Sequence, residues 1–152
     1  MITQHDEMAR MNPKSVNTIR IVSVQGKVFA AVLRVGKGDS EIDNLSAGGI
    51  ACPMDIETGI ITGKGRDYLG NEYVMHPLTD VVFPGFKIPN WDKAMELVEN
   101  TSKAITGIPV IGFDIAITKN GAAIVEINEG TEIEVLQVPF KKGFRFLWKD
   151  VN

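Results

Sequence analysis

Two short runs of alternating apolar residues, 110–118 and 122–128, flank Lys119-Asn120-Gly121 and leave the chain few ways to fold there. In the first run Phe113, Ile115 and Ile117 alternate with Asp114, Ala116 and Thr118; in the second Ala123, Val125 and Ile127 alternate with Ile124, Glu126 and Asn128. A period of two sends successive side chains to opposite faces of a strand, so each run is a strand with an apolar face, and the turn between them makes a hairpin. Two registers compete. A two-residue Asn120-Gly121 turn pairs Lys119 with Ala122, which sets Asp114 opposite Ile127 and Glu126 opposite Ile115 and mixes carboxylates into the core face. A three-residue loop with Gly121 left-handed pairs Thr118 with Ala122, and therefore Phe113 with Ile127, Ile115 with Val125 and Asp114 with Glu126. Because a one-residue slip flips every side chain, burial selects the second register.

In that register Asp114 and Glu126 are cross-strand neighbours with Cβ atoms about 5 Å apart, and Asn128 lies on the same face one step along. Two like charges so placed repel, and a divalent cation reverses the sign of the interaction. Two carboxylates and an amide carbonyl form a hard oxygen set suited to magnesium, with neither sulfur nor imidazole to favour zinc or copper. The competing reading is a solvated hairpin face whose acids meet water, Lys or Arg.

The rest of the chain is sheet-rich. Thr18-Ile19-Arg20-Ile21-Val22-Ser23-Val24 and Lys27-Val28-Phe29-Ala30-Ala31-Val32-Leu33 are joined by Gln25-Gly26, a hairpin signature. A glycine-rich polar stretch from Gly36 through Gly49 leads into a short apolar strand; its composition suits a surface connection or a ligand-covering loop. Short strands and turns, at Glu57-Thr58-Gly59 and Leu69-Gly70-Asn71, occupy 54–75. One clear helix begins after Pro89 with Asn90 as N-cap, carries Ala94, Leu97, Val98 and Ile105 at helical spacing, and ends at Gly107. Trp91 at its start reads as core packing. Strands grouped around one principal helix give an α+β fold with a mainly antiparallel sheet.

Composition bounds the partners. A length of 152 residues suits one domain or one lobe, and 44% hydrophobic with 23% charged residues is that of a folded protein. Residues 1–12 read as a polar tail, and 13–152 as the folded lobe. Basic residues are scattered and the net charge is −3, which argues against nucleic acid; no apolar run reaches the ~20 residues of a membrane span, and no signal-peptide core is present. A lone Cys52 in an apolar setting is an inert, partly buried thiol and, with no disulfide to form, fits the cytoplasm.

The arrangement Gly112-Phe113-Asp114-Ile115-Ala116-Ile117, a turn, then Val125-Glu126-Ile127-Asn128-Glu129-Gly130 resembles the metal-binding hairpin of ATP-grasp enzymes. Pro13-Lys14-Ser15-Val16-Asn17-Thr18-Ile19-Arg20, Asp43-Asn44-Leu45-Ser46-Ala47-Gly48-Gly49-Ile50 and Gly85-Phe86-Lys87-Ile88-Pro89-Asn90-Trp91 are similar to the sugar-transfer-associated, α-L-glutamate-ligase-like branch, and the similarity runs from about residue 13 to about residue 139. The resemblance implies the C-terminal lobe of an ATP-grasp fold, in which Asp114, Glu126 and Asn128 bind magnesium or manganese on ATP. It implies that Arg20 contacts ATP phosphate or the developing acyl phosphate, where charge neutralisation matters most; without it Arg20 reads as a surface ion pair. Asn44, Ser46, Gly48 and Gly49 match a loop near the phosphates and acceptor, and Val125 lines one side of an adenine pocket. Arg34 and Lys37 could face phosphate or solvent. The run Glu129-Gly130-Thr131-Glu132 departs from the family by lacking a proline.

Two functions of different class follow. One is the metal- and phosphate-binding lobe of an ATP-dependent carboxylate-amine ligase, with ATP as co-substrate and a carboxylate as substrate. The family's N-terminal nucleotide-gripping lobe is expected to be absent from this sequence, which leaves turnover by the chain alone in question. The other is a non-catalytic module that binds nucleotide or protein and pairs with itself or with a separate lobe. A calcium-binding structural hairpin accounts for neither Arg20 nor the glycine-rich loop.

Overall fold

A computed structural model describes residues 1–38 and 49–129. Among the described residues, seven antiparallel strands form one sheet in the order β5-β4-β3-β2-β1-β6-β7: β1 Thr18–Val24, β2 Lys27–Val35, β3 Ile50–Pro53, β4 Gly65–Arg66, β5 Glu72–Tyr73, β6 Val110–Thr118 and β7 Gly121–Asn128. The β1–β2 hairpin turns on Gln25 and Gly26, both at positive φ (50° and 82°), a twist that matches the flanking strands. The first and last hairpins are then joined side by side, β1 against β6, by pairing of residues far apart in sequence.

One face of the sheet carries the core. Ile19, Ile21, Leu33, Phe113, Ile115 and Ile117 project into it and meet helix α2 (Trp91–Ala104) through Trp91, Ala94 and Val98. The helix lies where its spacing predicts, but Asn90 does not cap it through its side chain. At φ 54° Asn90 turns its Nδ2 to the carbonyl of Thr118 (2.9 Å), tying the helix start to the β6–β7 turn. The helix stops at Ala104, with Ile105 extended, and Gly107 follows in the left-handed region (φ 83°). Trp91 is buried, its Nε1 donates to the carbonyl of Ile56 (2.8 Å), and it packs on Gly59, where an added Cβ would come within 2.3 Å of the ring. Cys52 is fully buried, and burial pushes its thiol pKa well up, as an inert thiol requires.

Residues 1–12 are not a tail. Asp6–Met11 form helix α1, whose Met8 and Met11 are completely buried in the core. Asn17 Nδ2 donates to the carbonyl of Met8 (2.8 Å), and Thr79 Oγ1 donates to that of Met11 (2.8 Å). Polar residues dominate the composition of this segment, yet two methionines three apart suffice to pin one turn of helix to an apolar face.

Candidate functional site

The second face of the sheet holds the polar residues that alternate with the core. Three adjacent strands bring Arg20 (β1), Asp114 (β6) and Glu126 (β7) into one row: Arg20 pairs with Asp114, and Asp114 with Glu126. In the next row Val22 pairs with Gly112, and Gly112 with Asn128. In the row before, Arg34 (β2) pairs with Thr18, and Thr18 with Ala116.

Two β-bulges create this arrangement. In the last hairpin Thr118 pairs with Gly121 across a Lys119-Asn120 turn, and Gly121 is not left-handed. Neither turn expected from the sequence forms. From the turn outward Ile117 faces Ala122 and Ile115 faces Ile124, so Ala122 and Ile124, rather than Ala123 and Val125, pack on the core. The register then slips at Val125, which is left without a partner residue, and beyond it Asp114 pairs with Glu126 and Phe113 with Ile127. Without that slip Val125 would stand opposite Asp114, and Glu126 would point to the core face. The same device operates in the first hairpin. Phe29 is the extra residue between the Val22–Ala30 and Ser23–Val28 pairs, and it shifts Arg34 onto the face of Arg20.

Electrostatics concentrate on Asp114. Arg20 Nε donates to Asp114 Oδ1, Arg20 Nη2 donates to Oδ2 at 3.3 Å, and Arg34 Nη2 approaches Oδ2 at 3.0 Å. The three side chains are 6%, 6% and 9% exposed for Arg20, Asp114 and Arg34. Arg20 is thus no surface ion pair, and Arg34 is not a solvated charge.

The remaining expected site residues divide. Glu126 and Val125 are exposed and Asn128 is half-buried, so β7 turns its donors toward solvent. Gly49 is buried just ahead of β3, whereas Asn44, Ser46 and Gly48 lie outside the described residues. Lys37 is absent from the row: its Nζ donates to Asp67 Oδ2 (3.0 Å) and lies over the Tyr73 ring, 5.3 Å from the centroid.

Two residues given no role by the sequence hold the start of the glycine-rich stretch. His76, fully buried, accepts from the Leu78 amide at Nδ1 (3.1 Å), which leaves Nε2 as the donor to the carbonyl of Gly36 (2.7 Å). Asp67 gathers Lys37, Asn71 Nδ2 (2.9 Å) and Tyr73 OH (2.9 Å) on Oδ2, and the amides of Leu69 and Asn71 on Oδ1. Asp67 followed by Leu69-Gly70-Asn71 is a readable side-chain-to-backbone turn signal; nothing near His76 in sequence announces its contact.

The donors of Asp114, Glu126 and Asn128 fit a hard divalent cation in chemical kind. Among the described residues no group of three or more His, Cys, Asp and Glu side chains converges, so such an ion would rest on two carboxylates, an amide and oxygens from a ligand or water. No described helix is long and apolar enough to cross a membrane. The family model described as sugar-transfer associated ATP-grasp matches the chain over residues 1–152. No curated protein matches it.

Proposed function

The chain belongs to the sugar-transfer associated ATP-grasp family, and from that premise we propose that it is the metal- and phosphate-binding lobe of an ATP-dependent carboxylate-amine ligase. In that reaction class the γ-phosphoryl group passes from ADP oxygen to a carboxylate oxygen; an amine then attacks the carbonyl, forming the amide and releasing inorganic phosphate. The reading is supported above all by the row Arg20–Asp114–Glu126 with Asn128 beside it, which puts a guanidinium, two carboxylates and an amide on one face of adjacent strands.

Asp114, Glu126 and Asn128 would hold magnesium or manganese, which when bound neutralises phosphate charge. Arg20 supplies a fixed positive charge toward the transferring group, in a buried setting where each charge acts more strongly than in water. Val125, displaced from the ladder by its bulge and exposed, stands beside this row as an apolar contact for adenine, and Gly49 marks the return of the glycine-rich stretch to the sheet.

Magnesium with a non-hydrolysable ATP analogue is expected to raise the melting temperature of the chain, and Glu126→Gln to abolish most of the increase while leaving the ligand-free melting temperature unchanged. No shift at millimolar ligand overturns nucleotide binding by this chain. Turnover is separated from binding by ADP release that depends on a carboxylate acceptor and disappears in Arg20→Ala; binding without such release supports the non-catalytic module instead.

A further inference from the structure

Asp114 is fully engaged before any ligand arrives. Both of its oxygens accept Arg20 N–H groups, Nε on Oδ1 and Nη2 on Oδ2, and Arg34 Nη2 forms an ion pair with Oδ2 at 3.0 Å. A divalent cation approaching this carboxylate alone would meet two positive charges and no uncommitted oxygen. Arg34 carries a second peculiarity: its Nη2 also donates to Thr18 Oγ1 (3.0 Å), but its buried Nε–H has no acceptor among the described residues. A buried donor without an acceptor is costly, and an oxygen arriving on the Arg34 side would relieve that cost. A guanidinium fork with a vacant N–H is matched to phosphate oxygens.

We propose that Arg20 and Arg34 form a latch that closes Asp114 to metal until phosphate oxygens of a ligand take over guanidinium donors, so that cation and phosphate bind as a coupled pair. This rests on the reading of Asp114, Glu126 and Asn128 as the metal-binding set. Arg34 acts through Asp114 and is a positioning residue. The Phe29 bulge matters for the same reason, since it places Arg34 on this face. Coupling of this kind is reciprocal: phosphate tightens metal and metal tightens phosphate.

Manganese titration of the full chain, followed by the electron paramagnetic resonance of the free ion, tests the latch directly. Sulfate serves as the tetrahedral anion, against chloride at equal ionic strength so that screening is the same. The native chain is expected to bind manganese about tenfold more tightly in sulfate than in chloride, a change equivalent to about one charge-assisted hydrogen bond. Arg34→Met is expected to bind tightly in chloride and to lose the sulfate effect. Arg34→Lys keeps the charge but removes the fork. It is expected to bind more tightly than the native chain in chloride; a Lys variant as weak as the native chain, with Met alone tight, leaves only a bare field and overturns the latch. Circular dichroism of each variant establishes that it is folded. Manganese bound equally well in both salts, and lost in Glu126→Gln, overturns the latch while the metal site stands. No manganese binding in either salt, together with no thermal shift from magnesium and the ATP analogue, overturns both.

Discussion

At the scale of single residues, Asp114 and Glu126 are neighbours with opposite energetic characters. Removing the charge of Asp114 breaks two buried ion pairs at once, so Asp114→Asn is expected to cost about 3–5 kcal/mol in urea unfolding, as for other broken buried pairs. Glu126 is exposed, and Glu126→Gln should stay within about 0.5 kcal/mol of the native chain. Equal costs for the two would show that Asp114 is not the centre of the cluster. Asp67 gives a pH-dependent case. Burial alone would raise its pKa, but hydrogen bonds from Asn71, Lys37 and Tyr73 outweigh that and hold it well below the ordinary carboxylate range. A depressed folded-state pKa means that its stabilisation is complete above the unfolded value, about 3.9, and is lost as pH falls below it. The urea midpoint of the native chain should therefore drop between about pH 5 and pH 3 more steeply than that of Asp67→Asn.

At the scale of elements, the two bulges are the informative features. Each adds one residue to an otherwise regular ladder and so reverses which side chains face the core beyond it. Deleting Val125 removes the extra residue and leaves a regular ladder, with Glu126 still opposite Asp114 and Ile127 still opposite Phe113. The deletion variant is expected to keep the strand content of the native chain by circular dichroism and most of the thermal shift from magnesium and the ATP analogue. Loss of that shift in a folded variant would show that Val125 or the local bend of its bulge, and not the register alone, sets the site. The sequence legibly gave two strands, their alternation and the pairing of Asp114 with Glu126. It placed the extra residue at Gly121, in the turn, whereas the structure places it at Val125. Both positions yield the same outer register, so alternation alone cannot separate them; what separates them is Ala122 and Ile124 packing on the core.

At the scale of the molecule, the sheet divides labour between its faces. The face carrying Ile19, Ile21, Phe113 and Ile115 is covered by α1 and α2, and the opposite face carries Arg20, Arg34 and Asp114. Helix α1 belongs to that core, so removing residues 1–12 takes away two fully buried methionines. Loss of each such side chain costs about 2–5 kcal/mol, and the truncated chain should be less stable by at least about 4 kcal/mol in urea unfolding. An unchanged midpoint would return this segment to the status of a tail.

What the sequence determined by itself was local: strands from period-two alternation, the Gln25-Gly26 hairpin, the helix after Pro89, and the acids that share one face of the last hairpin. These depend on neighbours a few residues apart, where spacing translates directly into geometry. Only the tertiary structure decided that β1 lies against β6, which places Arg20 on Asp114 across 94 positions of sequence. Only it decided that Arg34 joins them, because a bulge at Phe29 that no spacing rule marks turns its side chain over. The burial of Met8 and Met11 and the grip of His76 on Gly36 were likewise invisible until distant segments came together. The paired acids that the sequence offered as a metal site thus gained from the fold a set of arginines already closed upon one of them.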